Sequence, residues 1–147
     1  MSKKNFKIIA LIPARGGSKG IKNKNLSLLN GKPLIYYAIK SARRSKYIDR
    51  VIVSTDSKKI KLIALKFGAE VPFVRPKDLS NDNTLDFPVM WHAVGKLKLN
   101  SLEFKKYIIV YLRPTQPFRS FKDINKVMKF MIKYKNVVGS NPMFYAL

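Results

Sequence analysis

The chain has 147 residues, of which 46% are hydrophobic, so it is long enough for one domain with a proper core and has a globular composition. It carries 30 Lys and Arg against 8 Asp and Glu, and the resulting net charge of +22 would by itself suggest a nucleic-acid or anionic-membrane partner. The lysines are spread along the whole chain, which argues against a dedicated nucleic-acid-binding stripe. The absence of cysteine excludes disulfides, thiol nucleophiles and thiolate metal sites.

The N-terminal sequence "MSKKNFKIIALIPAR" places basic residues before an apolar run, as an export signal does. The run from Ile8 to Pro13 is too short for the hydrophobic region of such a signal, and it ends at Arg15. No stretch of the sequence approaches the ~18 apolar residues of a membrane span. The sequence therefore predicts a cytoplasmic protein with no membrane partner.

Apolar, β-rich runs alternate along the chain with segments in which apolar residues recur at helical spacing. The runs predict strands over residues 7–12, 51–55, 71–74 and 107–112, and a fifth strand from Val137 onward. The helical spacings run from Leu34 to Ala42, Ile60 to Phe67, Phe87 to Leu97 and Ile124 to Met131. This alternation predicts βαβ units and an α/β fold with a mostly parallel sheet flanked by helices.

Single residues on the predicted helices add detail. Gly68 follows the second helix where a C-terminal cap would lie, and Ser120 with Asp123 forms a capping box before the fourth. Trp91 lies at helical spacing and is expected in the core. His92, beside it, is expected to be structural.

Four polar loops follow the predicted strands, over residues 13–25, 54–57, 75–86 and 113–119. In parallel sheets of this kind, ligands bind beyond the carboxyl ends of the strands, where these loops lie. Asp56 in the second loop could orient a ligand or a metal, or it could cap the helix that follows.

The first of these loops is the glycine-rich stretch "PARGGSKGIKNKN". It fits neither the Walker A pattern nor G-x-G-x-x-G. It nevertheless has what a phosphate-binding loop needs, since its glycines let backbone N–H groups approach closely and Ser18 adds a hydroxyl. Arg15 offers a planar fork of donors, and Lys19 and Lys24 offer mobile point charges. Spacing alone leaves a solvated basic turn as the alternative.

Five motifs occur in a fixed order: "IPARGGSKGIKNKN", "GKPLI", "VIVSTDS", "AEVPFVRPKDLSND" and "RPTQPFR". In this order they resemble the cytidylyltransferases that activate nine-carbon acidic sugars, namely CMP-N-acylneuraminate (sialic acid) synthetases and their relatives for legionaminic and pseudaminic acids. The resemblance covers residues 7–138. It implies a Rossmann-like nucleotidyltransferase fold, with CTP and an acidic sugar as substrates and no nucleic-acid partner.

The resemblance also assigns residues on the phosphate side of the nucleotide. Arg15, Lys19 and Lys24 would bind the triphosphate of CTP, with Ser18 in the same loop. Asn25 and the backbone near Ala14 would hold the nucleotide.

On the nucleoside side, the resemblance implies that Arg75 and the region around Asp86 face the cytidine. The loop containing Arg113 and Thr115 would lie between nucleotide and sugar. The sequence departs from the family pattern at three of its positions. Arg113 replaces a common glutamine, Gln116 a common serine, and Asp86 stands where serine is frequent, so the identity of the sugar is left open.

The implied reaction is attack by the anomeric hydroxyl of the sugar on the α-phosphorus of CTP, with loss of pyrophosphate. Arg15 and Lys24 would act as catalytic residues that stabilise charge, and Mg²⁺ would share that load. Family members are longer, and the resemblance implies that the metal-binding aspartates, the homodimer contacts and much of the sugar pocket lie beyond residue 147.

Residues 1–147 are accordingly interpreted as a single, incomplete cytidylyltransferase domain, truncated at its C-terminus. A non-catalytic CTP-binding fragment is one alternative. A basic nucleic-acid-binding domain is another, less favoured one.

Overall fold

The computed structural model of the protein describes residues 7–99, 107–138 and 143–146. The strands are β1 (Lys7–Pro13), β2 (Leu28–Leu29), β3 (Lys32–Pro33), β4 (Arg50–Ser54), β5 (Tyr107–Tyr111) and β6 (Met143–Ala146). The helices are α1 (Leu34–Arg44), α2 (Lys58–Lys66), α3 (Asp86–Lys96) and α4 (Phe121–Val138). Two single turns of 3-10 helix lie at Lys24–Leu26 and Lys77–Leu79.

The main sheet has the strand order β4-β1-β5-β6, and every pairing in it is parallel. Strand β1 lies in the middle, with Ile9 opposite Arg50 of β4 and Lys7 opposite Tyr107 of β5. The predicted parallel α/β sheet is therefore confirmed. Because parallel strands point the same way, the loops after β1, β4 and β5 meet at one edge of the sheet.

Both faces of the sheet are covered, as the nearly continuous apolar strands predict. Ile8, Ala10 and Ile12 of β1 belong to the core cluster that contains the buried residues of α1, α2 and α4. Ile9 and Leu11 point the other way, into a smaller cluster with α3, the one helix on that face in the described part of the chain. The strands are thus held rigidly on both sides, and their carboxyl ends make a firm base for the loops.

The helix-end signals behave as predicted. Gly68 has a φ of +85°, a left-handed conformation that closes α2 and favours glycine. The Ser120 N–H donates to Asp123 Oδ2 at 2.8 Å and the Asp123 N–H donates to Ser120 Oγ at 3.3 Å, a reciprocal capping box for α4. The side-chain and backbone hydrogen bonds from Ser120 lower the pKa of Asp123.

Two of the predicted strands are wrong in position. Residues 71–74 form no strand, because the chain after α2 meets the edge of β4 only briefly, through a parallel bridge between Glu70 and Ile52. Val137 lies near the end of α4, since the helical spacing continues past it, and the last strand begins at Met143.

The sequence interpretation also missed the small hairpin β2–β3. Its turn is Asn30-Gly31, with φ values of 48° and 74°, and this dipeptide is typical of tight hairpins. Trp91 is half exposed and stacks on Phe87 with their rings 5.9 Å apart, so its predicted core position is wrong. In the described part of the chain, no helix has both the length and the apolar character needed to cross a membrane.

Candidate active site

A cavity of about 240 Å³ opens where β1, β4 and β5 end. Its lining comes from the loops that follow these strands and from the segment before α3. The lining residues are Pro13, Arg15, Lys24, Asn25, Arg75, Asn81, Asp82, Thr84, Asp86, Val89, Tyr111, Arg113, Pro114 and Thr115. Seven of the ten site residues named from the sequence are among them, and the other three, Ala14, Ser18 and Lys19, lie beside the cavity in the glycine-rich loop.

The glycine-rich loop is hydrogen-bonded to residues at and just after the end of β4. The Ala14 N–H donates to the Ser54 carbonyl at 2.9 Å, and the Gly16 N–H donates to Asp56 Oδ1 at 2.8 Å. A Cβ on Gly16 would lie 2.9 Å from Ser57 Cβ, closer than real Cβ contacts allow, so this position needs glycine. Ala14 is fully buried and contributes backbone alone.

The far end of the same loop is ordered by its own side chains. Asn25 is buried, and its Nδ2 donates to the Arg15 carbonyl at 3.1 Å, which ties the two ends of the loop together. Ser18 Oγ donates to the Ile21 carbonyl and accepts the Lys24 N–H at 3.2 Å. The Ser18 hydroxyl therefore supports the loop from within and turns Lys24 toward the cavity.

Carboxylates hold the cations at the mouth of the cavity. Arg15 forms an ion pair with Asp82, and Lys19 Nζ lies 3.3 Å from Asp82 Oδ2. Arg113 forms an ion pair with Asp86 at the start of α3. The hydrogen bond from Arg15, supplemented by that from Lys19, lowers the pKa of Asp82. These pairs are solvent-exposed and therefore weak, so an anionic ligand can replace the carboxylates.

Arg75 occupies the inner end of the cavity and is only 4% exposed. Its Nη2 donates to the Ser54 carbonyl at 3.0 Å and its Nη1 to the Leu79 carbonyl at 3.5 Å, while its Nε has no hydrogen-bond partner among the described residues. Burial lowers the pKa of this guanidinium, and nearby Tyr111 and Asp56 oppose that effect. Arg75 therefore presents a guanidinium that is held by two carbonyls at the inner end of the cavity.

Tyr111 forms the adjoining part of the inner wall. It is 1% exposed, and burial raises its pKa to about 12, so it remains protonated at physiological pH. The sequence interpretation missed it because Tyr111 belongs to the apolar strand "YIIVY", where it looked like a core residue. Asp82 was missed as well, although its loop was singled out, because no sequence signal showed that it would reach Arg15.

Of the two interpretations of Asp56, the helix cap is wrong, and the role of orienting a ligand or metal stays a prediction. The helix cap of α2 is Ser57, whose Oγ accepts the Ile60 N–H at 3.3 Å. Asp56 instead binds the glycine-rich loop through the Gly16 N–H. His92 lies outside the cavity lining, packed edge-on against Phe73 with the rings 5.3 Å apart, as expected for a structural histidine.

A second, more apolar hollow of about 760 Å³ adjoins the first. It shares Lys24 and Thr115 with the cavity, so the two spaces meet at these side chains. Its other lining residues are Ile21, Ser27, Leu29, Leu34, Gln116, Pro117, Phe118 and Arg119. The site therefore has a polar, cationic compartment and a larger apolar one on either side of Lys24.

Carboxylates that could bind a metal are scarce here. Within residues 7–99, 107–138 and 143–146, no group of three or more His, Cys, Asp or Glu side chains is close enough to hold a metal ion. The two carboxylates that line the cavity, Asp82 and Asp86, are already paired with arginines. The described donor set therefore does not form a protein-ligated magnesium site.

A sequence model of the family described as "Cytidylyltransferase" matches residues 9–140, which is nearly the whole chain and includes every residue that lines the cavity. The chain belongs to the cytidylyltransferase family. The family resemblance seen in the five motifs is confirmed.

Curated relatives in this family act on different acidic sugars, by their names. The chain is 36% identical over 139 residues to CMP-N,N'-diacetyllegionaminic acid synthase of Legionella pneumophila, a match covering 94% of this chain and 59% of that protein. It is 38% identical over 136 residues to N-acylneuraminate cytidylyltransferase of Escherichia coli, covering 90% of this chain and 31% of that protein. The chain thus spans well under two thirds of the length of these relatives.

Solved structures support the fold. The structure of a CMP:2-keto-3-deoxy-manno-octonic acid synthetase complexed with CTP superimposes with a TM-score of 0.69 at 23% identity, covering 86% of this chain and 48% of that one. At this identity the similarity establishes the fold, and the predicted Rossmann-like nucleotidyltransferase architecture is confirmed.

Proposed function

We propose that the protein transfers CMP from CTP to a nine-carbon acidic sugar, an N-acylneuraminate or a relative such as legionaminate, and releases pyrophosphate. The observation that supports this most directly is the convergence of Arg15, Lys24, Arg75 and Arg113 on one cavity at the carboxyl ends of parallel strands. Family membership adds the nucleotide class, and the names of the relatives suggest the class of sugar.

The two ends of the cavity suit the two ends of CTP. The triphosphate would lie at the mouth, where Arg15 can exchange Asp82 for phosphate oxygens and Lys24 lines the cavity beside it. The backbone of the glycine-rich loop would approach the same phosphates, with Ala14 and Ser18 shaping the loop and Lys19 joining from outside. Asp82 would be displaced as the triphosphate enters.

The base would lie at the inner end, against Arg75, Asn25 and Tyr111. Cytosine offers acceptors at N3 and O2, whereas uracil carries a proton on N3. A fixed donor of the Arg75 guanidinium placed against N3 pairs with the first arrangement and opposes the second. Asp86 and Thr115 would lie near the ribose side, with Arg113 between nucleotide and sugar.

In the reaction, the anomeric hydroxyl of the sugar attacks the α-phosphorus, a new P–O bond forms and the bond from the α-phosphorus to the bridging oxygen breaks. The electron pair leaves with pyrophosphate, and the hydroxyl proton passes to solvent. Lys24 lies where cavity and apolar hollow meet, so it is the cation placed to stabilise charge at the α-phosphate. Arg15 would stabilise the departing pyrophosphate.

The sugar would occupy the second hollow, beside Lys24 and Thr115. Arg119 and Lys24 offer positive charge for its carboxylate, and the apolar side chains suit a sugar that carries acyl groups. Magnesium would enter bound to the triphosphate oxygens and water, since the described carboxylates do not form a site for it.

A coupled pyrophosphate-release assay tests this proposal, with CTP, magnesium and in turn N-acetylneuraminate, diacetyllegionaminate or no sugar. Release that depends on one of the sugars supports transferase activity. CTP binding without sugar-dependent release would favour the alternative of a non-catalytic CTP-binding fragment, which the 59% and 31% coverage of the relatives keeps open. The family resemblance implies that metal and sugar contacts lie beyond residue 147, so we expect residues 1–147 alone to turn over slowly or not at all.

A further inference from the structure

Asp56 links the two parts of the site that handle different ends of the nucleotide. It lies two residues after the end of β4 and is half-buried, and its Oδ1 accepts the Gly16 N–H at 2.8 Å. A backbone amide bonded to a carboxylate is a strong, charge-assisted contact. Because Gly16 follows Arg15 in the chain, this bond fixes the point from which the Arg15 side chain leaves the loop.

The same carboxylate acts on Arg75. The guanidinium of Arg75 is buried, and the described hydrogen bonds that it donates go to two neutral carbonyls. The Arg75 Nη2 donates to the carbonyl of Ser54, two residues before Asp56, and both Tyr111 and Asp56 partly offset the lowering of the Arg75 pKa by burial. A carboxylate near a buried cation offsets part of the cost of burying it.

Two other roles for Asp56, capping α2 and binding a metal, are not supported by the structure. Ser57 caps α2, so the helix does not need Asp56 for that purpose. The Oδ1 atom is engaged by Gly16, and no metal-binding group includes Asp56 in the part of the chain that the structure describes. What is left is a carboxylate placed between the phosphate loop and the buried arginine.

We propose that Asp56 is a positioning residue that holds the phosphate-binding loop through Gly16 and steadies the buried Arg75 guanidinium at the end of β4, in place for the base. This inference rests on the proposed binding of CTP. It assigns Asp56 no contact with the nucleotide, so its effect must pass through Gly16 and Arg75.

Two variants distinguish the effect of Asp56 on Gly16 from its effect on Arg75. Asp56→Asn keeps an oxygen that can accept the Gly16 N–H but removes the charge near Arg75, whereas Asp56→Ala removes both. The matched control is Asp49, whose Oδ2 accepts the Ile8 N–H at 2.8 Å near the other end of β1, away from the cavity. Asp49→Asn and Asp49→Ala remove the same kind of bond from the same sheet.

The readouts are the Kd for CTP, UTP and inorganic triphosphate by calorimetry, amide exchange at Gly16 by NMR, and the melting temperature. We expect Asp56→Ala to bind triphosphate and CTP roughly tenfold more weakly and to lose protection at Gly16. Asp56→Asn should regain triphosphate binding and Gly16 protection but show a reduced CTP-to-UTP preference. Both Asp49 variants should keep wild-type affinities, whatever their melting temperatures.

The inference is overturned if Asp56→Ala binds CTP and triphosphate as the Asp49 variants do. If Asp56→Ala does not fold, Asp56→Asn decides, and wild-type CTP preference in that variant contradicts the link to Arg75. If the wild-type chain binds no CTP, the result contradicts the proposed function and not the role of Asp56 in the loop. Gly16 exchange in Asp56→Ala against Asp49→Ala would still show whether Asp56 holds the loop.

Discussion

The two ends of the cavity are built on opposite principles. At the inner end, Arg75 and Asn25 are 4% and 7% exposed and donate to backbone carbonyls, and Tyr111 beside them is buried. At the mouth, Arg15 and Arg113 are partly exposed and paired with the carboxylates of Asp82 and Asp86. The inner end is thus fixed by the fold, while the mouth is held by contacts that a ligand can exchange.

This difference suggests that the inner end determines which base is preferred and that the mouth determines how strongly the phosphates are attracted. A buried donor in a fixed position discriminates strongly between bases, because a wrong partner leaves it unsatisfied. Exposed cations attract phosphate of any nucleotide, with an energy that salt screens. We therefore expect changes at the inner end to alter the preference for cytosine, and changes at the mouth to alter affinity for all nucleoside triphosphates.

The largest effect is expected from Arg75→Ala. It removes the inner donor and two hydrogen bonds to carbonyls, so CTP affinity should fall roughly ten- to hundredfold and the CTP-to-UTP preference should disappear. Calorimetric titration of both nucleotides measures this. Arg43→Ala is the matched control, since Arg43 also donates to a carbonyl, that of Phe67 at 3.1 Å, but on the exposed surface. Retained preference in Arg75→Ala would contradict the assignment of the base.

Lys24→Ala and Arg15→Ala probe the mouth. Each should weaken CTP and UTP equally, by roughly tenfold, because each removes one charge-assisted phosphate contact. Lys22→Ala is the control for charge alone, because Lys22 lies in the same loop outside the cavity lining. If Lys22→Ala weakens binding as much as Lys24→Ala does, the loop acts as a general basic surface without a defined phosphate site.

Gly16→Ala tests the fastening of the loop. The new Cβ would lie 2.9 Å from Ser57 Cβ, so we expect a loss of about 1–3 kcal/mol in the free energy of unfolding, with weaker CTP binding. At Gly17 no atom lies within 4 Å of an added Cβ, and Gly17→Ala should change stability by less than about 0.5 kcal/mol. Denaturant titration of both variants gives the comparison, and equal losses would refute the close packing at Gly16.

The smallest effect, and one of opposite sign, is expected from Asp82→Asn. This change frees Arg15 and Lys19 from a competing carboxylate, so CTP should bind a few-fold more tightly at low salt. The depressed pKa of Asp82 keeps it ionised at all pH values above its usual range, and its ion pairs are lost only as the pH falls through that depressed value. The gain should therefore be constant around neutral pH. Weaker CTP binding would mean that Asp82 assists the nucleotide instead.

The parts of the fold that the sequence predicted well are those with strong periodicity. Strands β1, β4 and β5 and helices α1 to α4 could be placed because their apolar patterns reflect burial on the sheet. The strand expected from Val137 failed because the helical pattern of α4 extends past that residue. The segment at residues 71–74 failed because apolar residues can pack on a sheet edge without joining its ladder.

Candidate site residues could be predicted from the sequence where the residue type alone indicates a role, as for a cation in a phosphate-binding loop. They could not be predicted where the role depends on which residues are neighbours in the fold. Arg15, Lys24 and Arg75 could be named from the motifs that contain them. Tyr111 could not, because it belongs to the core cluster with α3, as the apolar strand suggests, and nothing in the sequence shows that it also lines the cavity. The same limit applies to Asp56, since its bond to Gly16 joins residues 40 positions apart in the chain.

The most direct test of the division between the two ends is a titration of the wild-type chain with CTP and UTP at low and high salt. We predict that CTP binds more tightly than UTP, that both affinities fall as salt is raised, and that the ratio of the two affinities stays constant, because the donor that reads the base is buried. Equal affinities for CTP and UTP at low salt would contradict this account. So would a CTP-to-UTP affinity ratio that falls toward one as salt is added, because the account places base recognition at the buried inner end and phosphate binding at the exposed mouth.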